Sequence, residues 1–254
     1  AFRSGPVEGM LLYTRRDGSE LRAGGDYPTN PQDYAVNSLL GRLVWRAPPA
    51  DTLRPTGEFL QRLTDTDIRT DRGVAPRFGG GPSNAVLNSV GRDRTERVRL
   101  SLDHVRDAPF AFIDRIESRA YYTSLDRRER TDQLRAVFAG PAAPTAPNRF
   151  RFSDFRQEQG IVGGETQPSS TLDLFGAPHR LTYGAIVERI ETGRPRDRFE
   201  TNLATGALAR TVAGETYPNK NFPDTTTWLA GAYVQDEVEA GRLLVVPAVR
   251  LDYY

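Results

Sequence analysis

The stretch from Thr227 to Tyr254, TWLAGAYVQDEVEAGRLLVVPAVRLDYY, limits the possible folds more than any other. Two segments of about a dozen residues, each alternating apolar with polar, meet at Glu239-Ala240-Gly241-Arg242, and both carry aromatics near their far ends. In the second segment Leu243, Val245, Pro247, Val249, Leu251 and Tyr253 fall on one face, with Arg250 and Asp252 on the other. One face suits lipid and the other a wet lumen, so the pair reads as a hairpin of a membrane β-barrel.

The chain has 254 residues, enough for one large all-β domain or two small ones. No run of about 18 apolar residues occurs, which excludes a transmembrane helix. The mean hydropathy of −0.54 still admits a barrel, whose strands average out as polar because every second residue faces water. Cysteine is absent, so no disulfide framework, thiolate metal site or cysteine nucleophile is available. The net charge of +1 comes from arginines and carboxylates spread along the whole chain, with Lys220 the only lysine. A nucleic-acid binder would gather its cations on one face or in one run, and no such asymmetry is present. The start, Ala1-Phe2-Arg3-Ser4, carries neither an initiator methionine nor a signal peptide, and the chain reads as a fragment.

Taken in order, strands are expected over 8–16, over 34–46 with Leu39, Leu43 and Trp45 alternating against Ser38, Arg42 and Arg46, and over 53–68 after a Pro48-Pro49-Ala50 turn. Pro55 is expected near a strand start or at a bulge, since it removes a ladder donor. Arg97 to Val105 alternates clearly, and a turn at Asp107-Ala108-Pro109 leads to an arm from Phe112 to about Arg130. Further arms cover 169–175 and 180–192, joined by Gly176-Ala177-Pro178-His179. Loops are expected over 17–33, 72–93, 132–160 and 193–226. Short turns near residues 50, 108, 177 and 240 then stand on one side of a sheet, separated by roughly 60 to 70 residues holding two strands and a long loop. The fold class is therefore all-β, an antiparallel meander of about nine strands forming part of a transmembrane barrel. Arg42, Arg99, Ser101, Asp103, Glu188, Arg250 and Asp252 should share the wet face; Leu39, Leu43, Leu100, Leu102, Leu181, Val245, Val249 and Leu251 should share the lipid face.

Little in the sequence supports catalysis. Only His104 and His179 are available to a triad or a histidine metal site; both fall near turns, without the partners such a site needs, and read as interfacial residues. Asp65 with Asp67, and Glu188 with Glu191, read as a charge ladder on the wet face neutralised by Arg62, Arg69 and Arg189. Gly79-Gly80-Gly81 lacks the following Lys-Ser/Thr of a phosphate loop and reads as loop. Trp45, Phe110, Phe112, Phe175 and Tyr254 stand at strand ends, where a barrel places girdle aromatics.

The wording LAGAYVQDEVE followed by a turn and RLDYY, with Asn30-Pro31-Gln32-Asp33-Tyr34 leading into Ser38-Leu39-Leu40-Gly41-Arg42-Leu43-Val44-Trp45, the arm from Leu53 to Gly57, and His179-Arg180-Leu181-Thr182-Tyr183-Gly184, resembles TonB-dependent outer-membrane receptors of the haem and haemoglobin branch. The resemblance implies the middle of a barrel of about 22 strands, with residues 1–254 a fragment of the barrel domain and the plug outside it. It further implies an energy-coupled receptor in the outer membrane of a Gram-negative bacterium, not an enzyme, taking haem, a haem protein or a siderophore into the periplasm. Its partners would be outer-membrane lipid, the iron-bearing ligand and, through the plug, TonB, with the barrel itself monomeric. A passive porin-like barrel and a secreted soluble all-β binding module are the rival readings. This segment is expected to hold no cofactor tightly: its long loops contain no histidine, and their tyrosines, Tyr27 and Tyr217, are more often interface residues than iron ligands.

Overall fold

The computed structural model describes residues 1–20, 29–74, 83–139 and 145–254. Tyr27 and Gly79-Gly80-Gly81 lie outside the described residues. The strands are β1 (Phe2–Ser4), β2 (Val7–Ser19), β3 (Gln32–Ala47), β4 (Asp51–Asp67), β5 (Gly73–Val74), β6 (Ser83–Phe110), β7 (Ile113–Phe138), β8 (Arg149–Leu174) and β9 (Ala177–Gly193). They continue as β10 (Pro195–Asn202), β11 (Leu208–Ala209), β12 (Thr211–Val212), β13 (Glu215–Thr216), β14 (Asn219–Lys220), β15 (Thr225–Ala240), β16 (Leu243–Val245) and β17 (Ala248–Tyr253). Among the described residues a 3-10 turn, Arg69–Asp71, is the only helical element.

Sequence neighbours pair in the order β1-β2-β3-β4-β6-β7-β8-β9-β15-β16, with β17 continuing on β15 and β10 on β8. All these pairings are antiparallel, so the sheet is the expected meander. The short connections at residues 5–6, 48–50, 111–112, 175–176 and 241–242 therefore share one end of the sheet, and the long ones share the other. Gly5, Gly176 and Gly241 take positive φ in three of these turns, a conformation that costs a glycine little. Counting β9 with β10, and β16 with β17, as single arms and setting aside the two-residue strands β5 and β11 to β14 gives the expected nine from β2 onward. The three-residue β1 is additional and too short to show an alternation.

Several expected boundaries are corrected. The strands β6, β7 and β8 are 28, 26 and 26 residues long, so most of 132–160 and the end of 72–93 are strand. Arg196 to Asn202 likewise pairs with β8 inside the stretch expected to be loop. The turn expected at 107–109 lies at Ala111-Phe112; Ala108 and Pro109 instead form an irregularity in the β6–β7 ladder, with Ala108 at φ 48. Pro55 sits well inside β4, where the β3–β4 pairing skips the two residues Arg54 and Pro55 while Pro55 still pairs with Leu102 on β6. Pro168 and Pro247 coincide with gaps in the β8–β9 and β15–β16/β17 ladders. A residue without N–H is tolerated within a sheet where the pairing locally opens.

Register fixes the two faces. One row runs Leu11, Gly41, Gly57, Leu100, Tyr122, Val162, Arg189, Trp228 across eight strands. The next runs Met10, Arg42, Thr56, Ser101, Tyr121, Gly163, Glu188, Leu229 on the opposite face. Arg42, Arg99, Ser101, Asp103, Glu188, Arg250 and Asp252 lie on the second face, and Leu39, Leu43, Leu100, Leu102, Leu181, Val245, Val249 and Leu251 on the first, as their alternation implies. The apolar face is open: Leu100 is 53 % exposed, and Leu43, Leu102, Val187, Val249 and Leu251 are exposed as well. Trp45, Phe110, Phe112, Phe175 and Tyr254 are exposed at strand ends or turns, as expected.

On the polar face, tyrosines lie over glycines directly opposite in the neighbouring strand. A Cβ on Gly163 would stand 2.5 Å from the Tyr121 ring, and one on Gly184 would meet Tyr233 at 2.9 Å. Lying flat, Tyr121 reaches across β8 to donate to Glu188, and Tyr233 donates to Gln167 Oε1 at 2.6 Å.

Candidate functional site

Followed toward the long connections, the apolar face ends. Beyond Val98 its residues on β6 are Glu96, Arg94 and Arg92; beyond Tyr122 on β7 they are Ser124, Asp126, Arg128, Arg130 and Asp132. These pair across strands, with Gln61 donating to Glu96 at 2.7 Å and Arg92 to Asp132 at 2.7 Å. A membrane strand needs about 9–11 residues, so a 28-residue β6 continues well past the apolar band. At about 3.3 Å per residue, Ser83 to Glu96 projects on the order of 40 Å beyond it.

The polar face of this projecting wall carries the richest chemistry. Register places Arg135, Arg149 and Asn202 in one row, Gln133, Arg151 and Glu200 in the next, then Thr131, Ser153 and Arg198, then Glu129, Phe155 and Arg196. Arg151 Nη2 donates to Glu200 Oε2 at 2.9 Å, and Arg149 approaches the same carboxylate at 3.7 Å. The Arg196 and Arg198 guanidinium carbons stand 4.6 Å and 4.9 Å from the Phe155 ring centroid, and 5.5 Å and 5.4 Å from that of Tyr217, which is a cation–π arrangement. The break between β9 and β10 leaves a cavity of about 300 Å³ beside Phe155, lined also by Arg127, Glu129, Arg194 and Arg196.

Tyr217 is 2 % exposed. Its hydroxyl donates to Glu215 and accepts from Arg196 Nη2 at 3.3 Å and Arg198 Nη1 at 3.4 Å. Burial and the bond to Glu215 push the phenol pKa up, so ionisation to a phenolate is disfavoured. The side chain of this loop tyrosine is thus buried, with its hydroxyl held by Glu215, Arg196 and Arg198.

His104 and His179 lie near the short turns, far along the strands from this cluster. His104 Nε2 stands 2.8 Å from Asp51 Oδ1, and His179 Nδ1 stands 2.7 Å from Asp236 Oδ2. The carboxylate ladder is corrected in part. Asp65 and Asp67 share a face, but it is the one continuing the apolar band; Glu188 and Glu191, three apart on a strand, fall on opposite faces. Arg69 pairs with Asp67 at 3.0 Å and Arg189 with Glu191. Arg62 instead donates to Thr64 and lies over the Tyr34 ring.

The cluster itself escaped the sequence reading because 149–160 and 195–202 were assigned to loops. The signal was present: Arg149-Phe150-Arg151-Phe152-Ser153 and Arg194-Pro195-Arg196-Asp197-Arg198-Phe199-Glu200 both alternate with period two. Phe152 and Phe199 consequently stack on the other face at 4.9 Å.

No curated protein matches the sequence. A family model described as "TonB dependent receptor-like, beta-barrel" matches residues 12–254. The family's members are receptors and transporters of the Gram-negative outer membrane, not enzymes, and the open apolar face across this sheet is at odds with a soluble all-β module. With nearly the whole described meander inside the match, the chain belongs to the TonB-dependent receptor-like β-barrel family.

Proposed function

We propose that this wall belongs to an energy-coupled receptor that carries an iron-bearing ligand, haem in the first place and a siderophore in the second, into the periplasm. The apolar face contacts outer-membrane lipid and the polar face lines the lumen. The observation that carries the reading is the projecting wall: beyond the apolar band its polar face presents Arg135, Arg149, Arg151, Arg196 and Arg198 together with Phe155. Guanidinium groups and aromatic rings suit a flat ligand bearing carboxylates, which haem is. The chemistry is capture and gating without a covalent step, and release depends on a plug domain pulled through TonB. Iron coordination is assigned to parts of the receptor outside residues 1–254, since Tyr217 is committed to Glu215, Arg196 and Arg198 and both histidines lie at the other end of the wall.

The test is haem uptake by a Gram-negative host lacking its own haem receptor and expressing the full gene. Uptake should appear with the gene and collapse when TonB is removed. Uptake that persists without TonB would make the protein a passive barrel, and no uptake in either strain would remove haem as cargo.

A further inference from the structure

Buried ionisable side chains are rare in this sheet. Among the described residues, Arg135 and Asp154 are the charged groups that fall in the buried class, and they are treated differently. Asp154 is neutralised by Arg128, whose Nε lies 2.8 Å from it, and by Arg156 at 3.3 Å. Arg135, 9 % exposed, has no carboxylate within ion-pair distance among the described residues. Its Nη1 donates to Gln133 Oε1 at 2.8 Å, and its Nε has no hydrogen-bond partner.

Arg198, diagonally across β8 from it on the same face, is in a similar position. It donates to Ser153 Oγ at 2.9 Å and to the Tyr217 hydroxyl, and no carboxylate pairs with it among the described residues. The nearby acids are occupied: Glu200 by Arg151 and Arg149, Glu215 by Tyr217 and Arg196. Arg135 is also held in place. Gln133 accepts from it and donates to Asp71 Oδ2 at 3.0 Å, and Ser89 Oγ donates to the same Asp71 oxygen at 2.8 Å, tying the 3-10 turn to the wall. Burial first, then the proximity of Arg151 and Arg198, lower the affinity of the Arg135 guanidinium for its proton, against the opposite pull of Glu200 and Asp71. A partly desolvated pair of cations with no carboxylate in direct contact is stabilised when an anion joins it.

We infer that Arg135 and Arg198, with Arg151 between them, form a binding site for an anionic group, a carboxylate or phosphate carried by a ligand that reaches the polar face. The planar guanidinium fork matches either group with two parallel hydrogen bonds. The inference rests on the reading of the polar face as a ligand-accessible lumen and adds the residues and the ligand chemistry.

The test uses the full-length receptor refolded in detergent, titrated calorimetrically at low salt with citrate and, separately, with inorganic phosphate. At least one of these anions should bind saturably, and Arg135→Gln and Arg198→Gln should each weaken it about tenfold or more. Arg135→Lys should recover part of the loss by restoring the charge. Arg92→Gln, which removes a paired arginine on the opposite face, should leave binding unchanged. Retained heat-modifiable migration on gels selects the variants that have folded. Absence of saturable binding of both anions to the wild-type receptor, or binding indifferent to both glutamine substitutions, would overturn the inference. Haem uptake is read separately: loss of the cargo reading leaves an anion site that responds to Arg135 and Arg198 standing, and the converse holds equally.

Discussion

The strand β6 passes through two regions that share a ladder and differ in solvent. Between Val98 and Leu102 its outward side chains are Val98, Leu100 and Leu102; between Arg92 and Glu96 the same face carries Arg92, Arg94 and Glu96. Pairing with β7 runs unbroken through both, from Asn88 to Asp107. The boundary is therefore a change in what the outward side chains touch, with no change in backbone structure. Hydrogen bonding builds the wall, and the side chains on one of its faces set where the apolar band begins and ends. In the projecting region both faces are charged; on the outward one the charges pair, as Arg92 with Asp132 and Arg128 with Asp154, whereas Arg135 and Arg198 on the polar face have no carboxylate partner among the described residues.

The comparison is broken most severely by placing one charge in each region. Leu100→Arg, in the apolar band, should destabilise the refolded receptor by about 2 to 4 kcal/mol if the residue lies near the bilayer midplane. Leu63→Arg, on the same face but past Gln61, should cost about 0 to 1 kcal/mol. Urea unfolding in lipid vesicles measures both, and equal costs would remove the distinction between the two regions.

A second contrast separates the faces within the band. Gly163→Val drives a side chain into the Tyr121 ring and should cost about 1 to 3 kcal/mol, as overpacking does. Gly160→Val, three residues earlier on β8 and with open space at its Cβ, should cost much less. The double variant Tyr121→Ala with Gly163→Val should recover most of the loss. No recovery would place the strain in the backbone of β8 rather than against the ring.

The difference between the regions also decides how much could be read from the sequence. In the band one face is apolar, so period two is visible: Leu243, Val245, Val249 and Leu251 fixed the last hairpin, and the face assignments followed for β3, β6 and β9 as well. In the projection hydrophobicity does not alternate because both faces are wet, and Arg128 to Asp132 gives no pattern that a hydropathy reading separates from loop. There the alternation is between charge and ring, as in Arg149 to Phe152, and the functional cluster lies in that part of the chain. Tyr121 opposite Gly163 was equally hidden, since cross-strand partners 42 positions apart emerge only with the register.

A smaller effect tests how the projecting wall holds its outer loop. Tyr217→Phe keeps the ring between Arg196 and Arg198 and removes only the hydroxyl that joins them to Glu215. The loss should be about 1 kcal/mol, confined to local opening of the segment from Thr211 to Lys220. Hydrogen exchange of those amides should quicken while protection along Val98 to Leu102 stays constant; faster exchange throughout the band would show that the loop is coupled to the whole sheet.

The smallest expected change is one of pH, at the same place and outside the apolar band. The bond from Tyr217, and then the charges of Arg196 and Arg198, hold the Glu215 carboxyl below its ordinary value of 4.5. A carboxyl depressed in the folded protein adds stability above its unfolded pKa and loses that contribution as pH falls through the folded value. Local protection of the segment from Thr211 to Lys220 should thus be flat from pH 7 to about 5, decline only under the ordinary carboxylate range, and show a weaker decline in Glu215→Gln. A decline centred above the ordinary value in the wild-type chain would reverse the sign assigned to this contact, and a variant that declines as steeply as wild type would move the titrating group to another acid.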